Sequence, residues 1–466
     1  MARLWIKRIA LGLLGLLIVA LLWVWLNPPP ILRVGASYAA KMVCSNVFLA
    51  SRDAQTVLRD DVQTLGHPLL KYMRVTVDHE RGEVHAALLG VVGKGLAVHR
   101  PGQGCAVVPD GDVAAARAAA PAAEAPTGAA PAPLKPPEPG APPPNWPEVD
   151  IAPTSGQLAA VVNLPELQGP GMRAVVVVHK GRIVGETYGA GFGPDTPLLG
   201  WSMTKTATAA LIGRRLHEGG LTLDTPLAPA LGWQSGDPRA AITASQLLSM
   251  SSGLKFDESY GSVSDVTRML YLEPDMAAFA AQQPLLQPPG TQFNYSSGSS
   301  LLLSRWWTQG ANTDARRLLF VPLGMRSATL ETDARGTPVG SSYLYATAKD
   351  WARLGLFLLN DGVWQGQRLL PEGYVARMTS ASPAKPGSYG QGHLWLHGPQ
   401  GATPEGQDPD VAQGLPADTW WMRGHDGQFM AVVPSQQLIV VRLGLTPSKL
   451  GYQPQGLVKK VLEAVR

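Results

Sequence analysis

Charge is scarce in this chain. Of its 466 residues only 16% are Asp, Glu, Lys or Arg, and the formal net charge is +4. No cluster of Lys and Arg interleaved with aromatics occurs, which excludes a nucleic-acid groove. No internal repeat is visible. Cysteine is rarer still, with Cys44 and Cys105 the only two. Nine histidines include one i, i+4 pair, His393 and His397, but the run between them lacks the glutamate of a zinc-protease helix. That segment reads as strand or loop, and no metal is expected. Two glycine signatures are also missing. Gly200-Trp201-Ser202-Met203-Thr204 lacks the second glycine of an α/β-hydrolase elbow. Gly189-Ala190-Gly191-Phe192-Gly193 runs into Pro194 rather than a helix, which argues against a dinucleotide loop, and no cofactor is expected.

One long apolar run is present. Ile9 to Leu26 are eighteen uncharged, mostly apolar positions, ~27 Å as a helix and enough to cross a bilayer core. Arg3, Lys7 and Arg8 precede the run, so its N-terminal side should stay cytoplasmic and the bulk be exported. Trp23 and Trp25 lie near the far end, where interfacial aromatics belong. A cleaved signal peptide competes with this reading. The run is long for a signal core, however, and Asn27-Pro28-Pro29-Pro30 follows instead of a small-residue cleavage site, so an uncleaved anchor is expected. In an exported chain Cys44 and Cys105 suggest a disulfide, with two buried thiols as the alternative.

Composition then divides the chain. Residues 1–30 form the cytoplasmic stub and anchor. Residues 31–110 carry period-two runs such as Arg74-Val75-Thr76-Val77 and read as a small domain. Residues 111–148 are dominated by Ala and Pro, eleven of them Pro, and predict an extended, semi-rigid spacer. Residues 149–466 have globular composition and the length for a large core.

The chemistry concentrates in Ser202-Met203-Thr204-Lys205, after a strand-like run (Ala174 to Val178) and at the head of a helical pattern ending at Gly219-Gly220. Residues three apart share a helix face, so the Ser202 hydroxyl and the Lys205 amine can enter one pocket. A serine is a weak nucleophile until an adjacent base takes its proton. The spacing alone is weak evidence, because Ser252/Lys255 and Ser382/Lys385 match it too. Gly253 follows Ser252 as a turn signal, and Pro383 follows Ser382 in a loop-like stretch. The bland alternative for Ser202 is a helix N-cap with a solvated lysine one turn on.

Two later elements extend the pattern: Pro289-Gly290-Thr291-Gln292-Phe293-Asn294-Tyr295-Ser296-Ser297 and Met422-Arg423-Gly424-His425-Asp426-Gly427-Gln428. This order resembles the serine β-lactamase/penicillin-binding protein superfamily, in particular its class C-like branch with carboxylesterases and 6-aminohexanoate-dimer hydrolases. The resemblance covers about residues 150–466. It implies an α+β fold, an antiparallel sheet flanked by helices beside a mostly helical lobe, with the site at their junction. Terminal strand patterns around a helical middle agree with that. It also implies Ser202 as nucleophile and Lys205 with Tyr295 as proton-transfer partners. The backbone of the final motif, at His425 or Gln428, would complete the oxyanion site, with Gly424 and Gly427 as close-approach or plain turn glycines. Tyr260 would lie in a substrate-covering loop.

Two departures matter. Ser297 stands where class C β-lactamases have asparagine, and the final motif has no lysine. Both favour a simple ester or linear amide over a β-lactam, although Arg423 or His425 could supply positive charge. The expectation is a membrane-tethered serine hydrolase acting on a small-molecule or short-peptide ester or amide. A sensor that binds without turnover, a D-Ala-D-Ala carboxypeptidase and a β-lactamase remain alternatives.

Overall fold

Apolar length and proline set the first two elements. Helix α1 (Ala2–Leu26) is long and apolar enough to cross a membrane, and none of the described side chains in its Trp5–Leu26 stretch is buried. Pro30 occupies the first turn of the next helix, α2 (Pro30–Ala50), where a missing N–H costs nothing. The structure, a computed structural model, describes residues 2–64, 66–119, 156–219, 221–310 and 314–465. Most of the expected spacer, from residue 120 on, lies outside the described residues.

The chain forms two compact units, the first comprising Met1–Ala120, Asp257–Pro274 and Asp333–Arg335. Its period-two runs become β1 (Met73–Asp78) and β2 (Glu83–Leu88), joined by β3 (Val92–Arg100) and β4 (Gly104–Val107) in an antiparallel sheet of sequential order. Helix α2 lies along this sheet. Gly95 is required there, because a Cβ would strike the Ala36–Ser37 backbone. A disulfide joins Cys44 on α2 to Cys105 on β4. The alanine-rich start of the expected spacer is a helix, α3 (Val113–Ala118), capped by Asp112, whose carboxylate accepts the Ala115 N–H at 2.9 Å. Alanine favours helix, and the prolines begin only at 121. Ala116 packs with Val98, Ala106, Val108 and Ala334. The buried Arg100 guanidinium donates to the carbonyls of Ala116 and Asp333. The helix Asp265–Leu272 buries Val266, Met269, Leu270 and Tyr271, the last meeting Tyr38 edge-on. A cut at residue 149 therefore does not separate the units, since two later segments complete the first one.

The second unit comprises Pro121–Phe256, Asp275–Thr332 and Gly336–Arg466. Its described part opens with α4 (Gly156–Val162), β5 (Met172–His179), β6 (Arg182–Tyr188) and α5 (Met203–His217). Further on come α6 (Ser297–Trp307), α7 (Ala348–Leu359), β7 (Trp420–Gly424), β8 (Gln428–Val433), β9 (Leu438–Gly444) and α8 (Gln455–Val465). The five strands make an antiparallel sheet in the order β7-β8-β9-β5-β6, so chain ends meet where Val440 pairs with Val177. Ala174 to Val178 are all buried, as an uninterrupted apolar run demands. One face, with Val175, Val177 and Val440, packs on α4 and α8. Helix α7 packs on β5, β8 and β9. Short helices such as Ala244–Leu248 and Met276–Ala281 fill the middle of the chain with α6. The fold is mixed helix and sheet.

Candidate active site

The Ser202 segment is built on a backbone compromise. Trp201 has φ of 48°, in the left-handed region that a bulky residue rarely enters. It is held there by its neighbours: Gly200 N–H donates to Leu344 C=O at 3.1 Å, and Thr204 N–H to Trp201 C=O at 2.9 Å. Strain of this kind persists where surrounding structure over-determines it. Ser202 follows at the N-cap of α5, yet its side chain accepts no backbone N–H. The hydroxyl faces Lys205 instead, and Nζ lies 3.0 Å from Ser202 Oγ. The solvated-lysine alternative fails, because Lys205 is 1% exposed.

Lys205 is triply bound. Besides Ser202 it donates to Ser297 Oγ at 3.1 Å and to Ser341 C=O at 3.1 Å. Three fixed acceptors hold the amine in one place. Ser297 sits in the first turn of α6, where its hydroxyl replaces the amide expected from the family pattern, and the departure has a structural use. Its signal was the third position of Tyr295-Ser296-Ser297. Ser341 carried no motif at all. Tyr295 presents its ring to the lysine, with Nζ 4.8 Å from the ring centroid.

Around Tyr295 stands an aromatic wall that sequence reasoning missed. Trp395 stacks on it at 5.6 Å and 25°, Tyr389 meets it edge-on at 5.9 Å, and Phe293 meets Tyr389 at 5.2 Å. Scattered single aromatics leave no periodic trace. Arg423 lies over the Trp395 ring at 4.6 Å, and burial pushes its guanidinium down to about 10, against the opposing pull of Tyr295 and Asp410. Its guanidinium donates to Gly398 C=O at 3.5 Å.

The final motif turns sharply. Gly424 ends β7 against the Ser202 segment, where an added Cβ would strike the Gly200 carbonyl oxygen, so close approach decides that glycine. Gly427 has φ of 77° and is a turn glycine. The His425 ring meets Trp201 edge-on at 5.6 Å, and its Nε2 lies 3.4 Å from the Asp426 carboxylate. Burial raises the Asp426 pKa, opposed by His425, Arg173 and Lys449. Gln428 is the register partner of Gly424, and its side-chain amide donates to the carbonyls of His425, Asp426 and Gly444. It braces the turn from inside. Arg442, fully buried, does the same from beneath, donating to Gly427 C=O at 2.9 Å, Gln168 C=O at 3.0 Å and Thr446 Oγ1 at 2.6 Å.

The other matches to the spacing, and the remaining histidines and tyrosine, have partners of their own or a different setting. Ser252 Oγ accepts the Leu254 N–H and Lys255 is exposed. Ser382 Oγ donates to Ser249 C=O, and Lys385 is exposed. His397 meets Gly398 C=O and Ser388 Oγ, whereas His393 is buried against Ser300 Oγ at 3.1 Å. Tyr260 is half-buried on the 257–274 segment, which belongs to the first unit.

A sequence profile of the Beta-lactamase family matches residues 161–448. The chain is 23% identical over 303 residues to the 6-aminohexanoate-dimer hydrolase of Paenarthrobacter ureafaciens, covering 59% of this chain and 72% of that one. Among solved structures it resembles a Bacillus anthracis protein assigned as a 6-aminohexanoate-dimer hydrolase, with a TM-score of 0.52 and 22% identity over 63% of this chain and 79% of that one. A Bacteroides dorei protein assigned as a β-lactamase gives 0.49 at 22% identity, over 64% and 94%. At 22% identity the likeness to the Bacillus anthracis structure speaks to the fold alone.

Proposed function

The chain belongs to the beta-lactamase family, and from that premise we propose that it is a membrane-anchored serine hydrolase cleaving ester or amide bonds through an acyl-enzyme on Ser202. One observation carries this reading: a sealed lysine amine hydrogen-bonded to a half-buried serine hydroxyl that caps nothing. Lys205, acting as a neutral amine, takes the Ser202 proton as the oxygen attacks the substrate carbonyl, and Ser297 and Ser341 hold the amine in line. Tyr295 gives its phenolic proton to the leaving group and recovers one from Lys205, which returns the amine to its neutral form. The backbone at Ser202 and at His425 receives the developing oxyanion, a role supported by the contact of Gly424 with Gly200. Preorganised donors of this kind are worth about 3–4 kcal/mol to an acyl-transfer transition state.

The aromatic wall and Arg423 supply substrate contacts, favouring an acyl or amine portion with a flat or apolar body near Trp395 and an acidic group near Arg423. Helix α1 tethers the enzyme, with the catalytic unit on the exported side, and the Cys44–Cys105 disulfide is consistent with that compartment. The test is a full-length protein screened on p-nitrophenyl esters, nitrocefin, D-Ala-D-Ala peptides and short amide oligomers, with intact-mass analysis of the acylated serine. Steady turnover of an ester or amide with an adduct on Ser202 is expected. A stoichiometric adduct with no turnover on any substrate class would replace the enzyme by a sensor.

A further inference from the structure

The hairpin joining β2 and β3 breaks two rules at once. Leu89 has φ of 53°, a conformation suited to Asn or Gly, and its side chain is 62% exposed. Beside it Val91 is 54% exposed, and Tyr72, whose carbonyl accepts the Leu89 N–H at 2.8 Å, is 56% exposed. Three large apolar side chains thus share one corner of the first unit. Lys71, Arg74 and Lys94 around them are exposed. Neither residues 62–77 nor residues 84–109 contain an Asp or Glu.

Strand β3 and helix α2 locate this corner. Gly93 lies against Leu32 and Gly95 against Ala36, so strand and helix advance in the same direction. Backing up from Gly93 runs through Val92, the first residue of β3, and then the turn at 89–91, whereas backing up from Leu32 to Pro30 covers only ~3 Å of helix. The hairpin tip therefore projects past the start of α2, towards the end of α1, which itself touches β3. There α1 carries Trp23 and Trp25, both exposed. Aromatic, aliphatic and basic side chains at one level suit the headgroup boundary of a bilayer.

We infer that the Tyr72, Leu89 and Val91 corner inserts into the membrane surface as a second, shallow contact beside α1, with Lys71, Arg74 and Lys94 on anionic headgroups. The inference rests on the reading of α1 as an anchor. Two points of attachment fix the rotation of the first unit about its tether, where a single helix leaves it free to swivel. The occupant is lipid, since the patch adjoins an unburied apolar helix and carries basic residues without acidic ones.

The test uses full-length protein in liposomes of three parts phosphatidylcholine to one part phosphatidylglycerol. A photoactivatable diazirine side chain is placed singly at Leu16, Leu89 or Arg81, the last in the β1–β2 turn at the opposite end of the sheet. Lipid adducts at 16 and 89, and none at 81, are expected. Adducts at 16 without adducts at 89 overturn the inference and leave the anchor standing. No adduct at either position overturns both. With the probe at Val91, Leu89→Asn should cut lipid adducts at least threefold without lowering the melting temperature, since Asn suits the backbone there. Unchanged adducts, or a protein cross-link in place of lipid, also overturn it.

Discussion

Ser202-Met203-Thr204-Lys205 and Ser252-Gly253-Leu254-Lys255 have the same spacing and opposite fates. In the first, a helix begins at Met203, so serine and lysine share a face and the lysine is driven inward to three acceptors. In the second, Gly253 adopts φ of 76° and the chain turns, leaving Ser252 to serve its own backbone and Lys255 to face solvent. Spacing supplies proximity only if the backbone is helical, and proximity becomes chemistry only if the amine is sealed among fixed partners.

The sharpest way to break this comparison is to exchange the serines. Ser202→Ala should abolish labelling by a fluorophosphonate probe while Ser252→Ala keeps it, read by gel fluorescence and intact mass. Labelling that follows Ser252 would reverse the assignment. Next, Lys205→Ala should slow acylation by about 10²–10⁴-fold, the usual range for a general base, and Lys255→Ala should leave the rate unchanged. Tyr295→Phe is expected to cost about 10²-fold in turnover, visible as a fall in kcat with little change in KM; a wild-type kcat would remove Tyr295 from the mechanism.

A smaller effect probes the sealed chamber. Burial, with a further contribution from Lys205, lowers the His393 pKa to about 3. The folded state therefore keeps His393 neutral while the unfolded chain protonates near pH 6.5. Below that value the unfolded state binds the extra proton, so stability present at neutral pH is lost as pH falls, by about 1.4 kcal/mol per unit towards pH 3. Melting temperatures between pH 7 and 4 should decline less steeply for His393→Asn, which tolerates the φ of 56° at this position. An identical slope would show that other groups set the acid limb. The least effect is expected of Tyr260→Ala, a shift of about threefold or less in the ratio of ester to amide turnover, with Ser202 labelling retained. A larger shift would bring the 257–274 segment into substrate selection.

Much of the hydrolase unit was legible because its signals are local. Buried strands announce themselves as runs such as Ala174 to Val178, and Ser202 stood out by a strand before it and a helix after it. Ser297 was visible as a motif position, but its bond to Lys205 was not, since a three-dimensional approach of α5 and α6 creates it. Ser341, Trp395, Tyr389 and Arg442 act through contacts with residues far along the chain, and their own neighbours in sequence hold no pattern. The first unit was harder. Its helix α2 directly follows the apolar α1 and carries no strong amphipathic stripe, and its last pieces lie more than a hundred residues downstream.

That interruption has a temporal consequence. Cys44 and Cys105 can meet as soon as the first 110 or so residues have emerged, but the unit they staple still lacks the helix Asp265–Leu272. At ~5–20 residues per second, the 154 residues from Ala120 to Pro274 take roughly 8–30 s to synthesise. During that interval the face awaiting Tyr271 and its neighbours is bare, and the hydrolase unit is itself unfinished. The nascent chain therefore passes through a period in which both units are incomplete, and a truncation at residue 149 would leave the first without the helix Asp265–Leu272 for good.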